Sequence, residues 1–454
     1  MKVYPPQLEI GEQEGFTPQK DLFGRADLGR QMSSLVATVE DPLVIAFDGV
    51  WGSGKTTFLK MWAGELRKAG HPVVFFDAFE NDFVDDAFAA LARELVELVE
   101  THAQGRGDAL KERIVKLGSL LLRSSAKVGL KALSRAATAG MANDEDIADA
   151  VRDAAAEVEA IADGYMTKLI EAPREQRDTV QNFRDALQAL PSLTHPPQNE
   201  EENQKPLIFI IDELDRCKPV FALALLERIK HFMSVPNVHF VLGTHLEQLK
   251  NSVRYAYGGE IDATLYLQKF INITLFLEAS NRPGDGDLDR FARSLVTELG
   301  IQNHVDNSVS TSIESIIRIS RYHGLSLRTV ERAFTLLSIS LAFTPERQLK
   351  IGPIMGGLIM MKLLNPKIFK SAKNKHLRSE DIFDFLGLSE DLLDDDRIEW
   401  ERNWWKFVSD EHLEAELEGF ARETLARYAF RNRRDILSYM ANDVVDRIAP
   451  PAQT

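Results

Sequence analysis

One stretch near the start of the chain restricts its fold more than any other: Asp48-Gly49-Val50-Trp51-Gly52-Ser53-Gly54-Lys55-Thr56-Thr57. An apolar run, Leu43 to Phe47, precedes it, and a helical pattern, Phe58 to Arg67, follows it. Strand, glycine-rich loop and helix in that order, with G-x-x-x-x-G-K-[ST] running from Gly49 to Thr56, make a phosphate cradle. The glycines let the backbone curl until successive N–H groups point at one spot, and the helix N-terminus adds partial positive charge. A triphosphate has the charge to fill such a nest. Gly49, Val50, Trp51, Gly52, Ser53, Gly54, Lys55, Thr56 and Thr57 are therefore the candidate phosphate-binding residues. Lys55 is expected to reach the β- and γ-phosphates, and the Thr56 hydroxyl to take one position on Mg²⁺. A plain glycine turn with an incidental lysine would not need this strand before it and this helix after it.

The rest of the chain narrows the class. At 454 residues it is long for one core, so two or three domains are expected. A net charge of −15 argues against a general nucleic-acid coat, although a local basic groove stays possible. The single cysteine, Cys217, rules out an intramolecular disulfide and a cysteine-rich zinc site, and points to a reducing cytoplasm. Met1 to Gln19 is polar and acidic rather than signal-like, and no run reaches the ~18 apolar residues of a spanning helix. The longest such run, Ile351 to Leu364, carries Lys362 and reads as a core helix.

A second acidic motif completes the chemistry. The apolar strand Leu207 to Ile211 ends in Asp212-Glu213. Asp212 is expected to hold Mg²⁺ through water, and Glu213 to act as general base on the water that attacks the γ-phosphate. Another apolar strand, Val238 to His245, ends in Thr244, the candidate strand-tip group that senses the γ-phosphate, with His245 beside it. Strands are also expected at Val73–Asp77 and Phe270–Glu278, with helices at 81–100, 220–232 and 246–255. Asp77 either orders water near the metal or caps a turn. Five strands alternating with helices predict an α/β fold with a parallel, doubly wound sheet.

Four regions follow: an N-terminal arm and first half of the sheet domain (1–100), a helical insert (101–204), the second half (205–280) and a helical lid or C-terminal domain (281–454). The insert contains a basic amphipathic piece, Lys111 to Arg135, which fits a solvated face, a partner helix or a peripheral membrane contact. In the last region 287–300, 309–322, 326–342, 353–364, 379–387 and 411–447 read as helices. Ser326 is a candidate cap, and Arg328 just after it could swing onto the γ-phosphate or form a surface salt bridge. Phe23 and Arg25, ahead of the first strand, either stack on the base or pack on the sheet edge. Trp404-Trp405 suits a partner patch or a helix core, and Arg431, Arg433 and Arg434 read as a solvated helix face.

Together these segments resemble the KAP family of P-loop NTPases. The matches are Trp51 inside the phosphate loop, Ile211-Asp212-Glu213-Leu214-Asp215-Arg216-Cys217, and Tyr266-Leu267-Gln268-Lys269-Phe270-Ile271 ahead of the last strand, over about residues 21–345. The family commonly has Asp-Arg after the fourth strand, where this chain has Thr244-His245, and many members carry transmembrane hairpins that are missing here. The resemblance implies a P-loop NTPase sheet that binds ATP and Mg²⁺. It also implies that Asp215 and Arg216 brace the catalytic acids and contact a neighbouring subunit's nucleotide. Its bacterial members often lie in anti-phage or plasmid-exclusion loci. The function expected is ATP hydrolysis that drives a conformational or oligomeric switch, with self-association and a separate effector protein. The alternatives are a nucleotide-gated scaffold with little hydrolysis, or a DNA-associated motor, for which no basic tract or Leu-Ser-Gly-Gly-Gln loop is found.

Overall fold

The computed structural model describes residues 2, 4–6, 8–83, 90–91, 93–95, 97–98, 181, 184–185, 187–188, 190, 204–277, 286–301, 307–344, 348–389, 396–412 and 432–447. The basic piece Lys111 to Arg135 and Arg431 lie outside the described residues. The chain forms two compact units. A sheet unit comprises Ile10–Gly49 and Lys55–Leu277; a helical unit comprises Met1–Glu9, Val50–Gly54 and Glu278–Thr454.

The sheet unit contains α1 (Ala26–Thr38), β1 (Val44–Asp48), α2 (Lys55–Lys68), β2 (Val73–Asp77), β3 (Leu207–Asp212), a 3₁₀ turn (Leu214–Arg216), α3 (Pro219–Ile229), β4 (Val238–Thr244), α4 (Leu246–Tyr257), α5 (Ala263–Leu267) and β5 (Ile273–Phe276). The strand order is β2-β3-β4-β1-β5 and every pairing is parallel, as expected of this α/β chain. β3 and β4 are buried along their whole length, which is why both read as unbroken apolar runs instead of alternating ones.

Side chains on a strand alternate between faces, and here the alternation sorts two cores. Ile208 and Ile210 of β3 and Val241 of β4 pack with Phe58, Leu59 and Trp62 of α2 and with Met32 and Val36 of α1. Phe209, Ile211, Phe240 and Leu242 face the other way, onto Leu225 and Leu226 of α3 and Leu249 of α4. Burying each such side chain contributes about 1.5–3 kcal/mol, so both faces must stay covered and a one-residue slip is costly. The register pairs Asp48 with Thr244 and Asp77 with Asp212. Their polar tips therefore line the carboxyl edge of the sheet, where open α/β sheets bind ligands.

In the helical unit, α6 (Asp287–Leu299), α7 (Ser308–Tyr322), α8 (Leu327–Phe343) and α9 (Gly352–Leu364) appear close to where the sequence predicts them. α9 is buried from Gly352 to Met361, the core helix expected of an apolar run too short to span a bilayer. Among the described residues no helix is long and apolar enough to cross a membrane. Residues 379–387 form successive turns rather than a helix, closed by Gly387 at φ 63°. The sequence reading had passed over α10 (Pro366–Lys373) and α11 (Asp396–Ser409). Asn365-Pro366 is an ordinary cap-plus-proline start, with the Asn365 side chain accepting from Ile368 N–H. Trp405 of α11 is fully buried, so its use is in the core. α12 (Arg433–Tyr439) corrects the solvated-face reading. Arg433 donates to the carbonyls of Phe407 and Glu411, each at 2.8 Å, and Arg434 to that of Lys375.

A buried ion pair ties α7 to α11. Arg318 grips both carboxylate oxygens of Glu401, one at 2.7 Å, and the Ser315 hydroxyl adds a third bond at 3.0 Å. Removing Glu401 leaves the part-buried Arg318 guanidinium, 23% exposed, without its carboxylate. Glu401→Ala is expected to destabilise the helical unit by about 1–3 kcal/mol, read as a fall in its unfolding temperature, whereas Glu401→Gln should cost less because hydrogen bonds survive.

Candidate nucleotide site

The phosphate loop follows directly from β1. Gly52 and Gly54 adopt φ of 78° and 89°, left-handed values that a side chain resists. The Gly49 N–H donates to the Thr244 carbonyl at 3.3 Å, which ties the loop's first residue to the tip of β4. α2 then begins at Lys55 with no acidic residue in its first turn, leaving its N–H groups and partial positive charge for an anion. Lys55 is largely buried, and its ammonium donates to the Gly49 carbonyl. Burial pushes its pKa down; Asp215, Asp212 and Asp48 oppose that shift in that order, and Arg216 adds to it. The crown is more open, with Val50 and Trp51 about half exposed.

Asp212 shares strand parity with Ile208 and Ile210, so its carboxylate lies on the α2 face. Oδ1 accepts the Glu213 N–H at 2.9 Å, while Oδ2 is buried and has no well-formed hydrogen bond. Burial pushes the Asp212 pKa up to about 6, against a pull from the Thr56 hydroxyl and the Glu213 N–H. A carboxylate with one oxygen unsatisfied beside a threonine hydroxyl is a donor set suited to a hard divalent cation.

Gly243 makes room for it. A Cβ there would overlap Asp212 Oδ1 and meet Leu59 Cδ1 at 2.6 Å. The sequence reading missed this residue, although a lone glycine inside an apolar strand is a recognised sign of close approach. It also missed Asp48, whose Oδ1 accepts the Leu246 N–H at 2.9 Å and so caps α4 where His245 makes no side-chain cap.

The other candidates divide. Glu213 sits in the left-handed region (φ 58°, ψ 26°) and pairs with Arg216 at 2.7 Å. Thr244 has the parity of Phe240 and Leu242, on the face away from α2, and its buried hydroxyl has no hydrogen-bond partner among the described residues. Asp77 takes the capping alternative, accepting the Glu80 N–H at 3.0 Å. Arg25 lies over the Phe23 ring at 4.7 Å, and Asp21 accepts the N–H groups of Arg25 and Ala26 to start α1. In the helical unit the Gly52 carbonyl accepts the Leu327 N–H at 3.1 Å, and a Cβ on Gly52 would meet that of Arg328 at 2.7 Å. Ser326 caps α8 as expected, through the Thr329 N–H.

The sequence profile of the KAP family P-loop domain matches residues 30–342. The chain belongs to the KAP family of P-loop NTPases. Comparison with curated proteins finds no significant relative. Among solved structures, this KAP chain is similar to ORC2 of Aeropyrum pernix in ADPNP–ADP complexes (11% identity, TM-score 0.35, 97% of each chain covered). It is similar also to a DNA replication initiation factor (11%, 0.32, 96% of this chain and 99% of that one). A third is AMPPCP-bound DnaA from Aquifex aeolicus (11%, 0.30, 95% and 99%). Scores this low carry no argument; the fold assignment rests on the all-parallel sheet and the family match.

Gly243→Ala tests the seat of Asp212 in this KAP site. The added methyl is expected to cost about 1–3 kcal/mol of stability and to weaken nucleotide binding, measured by thermal unfolding and by titration with a fluorescent ADP.

Proposed function

We propose that the protein is a Mg²⁺-dependent ATPase whose turnover resets a conformational or oligomeric switch. The observation that carries this reading is the unsatisfied Asp212 Oδ2 beside the Thr56 hydroxyl, at the edge of the sheet where α2 starts. Thr56 and Asp212 would hold Mg²⁺, which when bound neutralises charge on the β- and γ-phosphates. Lys55 and the loop N–H groups, from Gly49 to Thr57, orient the triphosphate. Glu213 takes a proton from water as the bond from that oxygen to the γ-phosphorus forms. The bond from the phosphorus to the β–γ bridging oxygen breaks, and ADP leaves with the electron pair.

Around that centre, Phe23 and Arg25 are assigned to the base. Arg328 is assigned to the γ-phosphate; its guanidinium makes no hydrogen bond or ion pair among the described residues, and its backbone stands against Gly52. At the tip of β4 the sensing role is given to Thr244, on the strength of its unpartnered hydroxyl. Self-association, a separate effector and a part in bacterial anti-phage defence extend the reading and rest on the family resemblance; a cytoplasmic site of action rests on the single cysteine, Cys217. The Glu213–Arg216 ion pair favours a second reading, a nucleotide-gated scaffold whose base is held back and turns over slowly.

Lys55→Ala and Glu213→Gln are each expected to lower ATP turnover by about 10²–10⁴-fold. Phosphate release in both variants and in wild type measures this, with and without Mg²⁺. Unchanged turnover in both removes the ATPase reading. Slow wild-type turnover with assembly that depends on ATP, seen by light scattering, selects the scaffold.

A further inference from the structure

We infer that Arg216 is a positioning residue for Glu213 that exchanges the carboxylate for the γ-phosphate when a triphosphate binds. The inference rests on the nucleotide site proposed above and names how that site is regulated.

Glutamate has no intrinsic preference for the left-handed region, which L-residues resist, so neighbouring contacts must hold Glu213 there. Those contacts are on the same short turn. The Glu213 N–H is fixed by Asp212 Oδ1 at 2.9 Å, and its carbonyl accepts the Arg216 N–H at 3.1 Å and the Cys217 thiol at 3.6 Å. The side chain closes the same loop, with Glu213 Oε1 on Arg216 Nη1 at 2.7 Å. Both side chains are mostly covered, 15% and 26% exposed, so solvent screens the pair less than it would an open surface pair.

A carboxylate in this grip is a poor base, because the guanidinium competes for the oxygen that should accept a proton from water. Arg216 is also close enough to influence Lys55 electrostatically. A triphosphate seated at Lys55 brings several negative charges to the same end of the sheet. Guanidinium binds phosphate oxygens well, in a forked geometry that one carboxylate oxygen does not satisfy. ATP therefore draws Arg216 off the Glu213 carboxylate. ADP lacks the γ-phosphate and leaves the pair closed, so the base is armed only when its substrate is present.

The test uses the full-length chain with Mg²⁺ and displacement of a fluorescent ADP by AMPPNP or by ADP, in wild type, Arg216→Ala, Arg216→Lys, Glu213→Gln and the Arg216→Ala/Glu213→Gln double variant. Glu213→Gln should bind AMPPNP about tenfold more tightly, since Arg216 is no longer shared, with ADP affinity unchanged. Arg216→Ala should lose about tenfold of the preference for AMPPNP over ADP, again with ADP affinity unchanged, and Arg216→Lys should restore part of it. In the double variant the gain from Glu213→Gln should vanish. A preference for AMPPNP that survives Arg216→Ala overturns the inference while leaving the nucleotide site intact, and so does an equal loss for both nucleotides, which marks a merely structural role. A wild-type chain that binds neither nucleotide overturns both readings. The expected binding pattern without turnover upholds the inference and overturns only hydrolysis.

Discussion

A carboxylate buried at the end of a fully apolar strand is the constraint on which the rest of this structure depends. Taking Asp212 out of water costs several kcal/mol unless something compensates. The Glu213 N–H on Oδ1 and the nearby Thr56 hydroxyl compensate it in part, while Oδ2 has no well-formed hydrogen bond. The burial of Phe209, Ile210 and Ile211 fixes the strand in register, so the chain cannot slide Asp212 out to solvent without exposing two cores. The packing on both faces thus holds the carboxylate in place, where the proposed Mg²⁺ beside the Thr56 hydroxyl would compensate it.

Several neighbours make sense as consequences. Gly243 is a glycine because any side chain would occupy the carboxylate's seat. Asp48 faces away from α2 and caps α4, so the last residue of β1 helps fix the helix that follows β4. Glu213 is bent into an unusual backbone region because its N–H is committed to Asp212 and its carbonyl to the turn behind it. Leu327 donates to Gly52 at the start of α8, so in the helical unit the crown of the phosphate loop is tied to the helix that bears Arg328.

Most of the sheet was legible in the sequence because strands covered on both faces read as unbroken apolar runs, as β3 and β4 do. The strand order was implied less directly. The structure places β4, whose tip carries Thr244, between β1 and β3. Individual roles were harder to read. A sequence shows that Asp77 ends a strand, but not that its oxygen is already spent on the Glu80 N–H. It shows that Thr244 ends another, but only the sorting of neighbours into two cores reveals which face it takes. Aromatic-rich α11 was passed over because tryptophans weaken the helical pattern, and 379–387 was misread because buried Ile382, Phe383 and Leu386 mimic helical spacing within a string of turns.

The account stands on Thr56 and Asp212 sharing one cation above the phosphates held at Lys55. Electron paramagnetic resonance of Mn²⁺ in place of Mg²⁺, recorded with AMPPNP on wild type, Thr56→Ala and Asp212→Asn, addresses that directly. The account predicts a nucleotide-dependent bound-Mn²⁺ signal in wild type that is lost or strongly weakened in both variants. A bound signal of the same strength and shape in Asp212→Asn would contradict it.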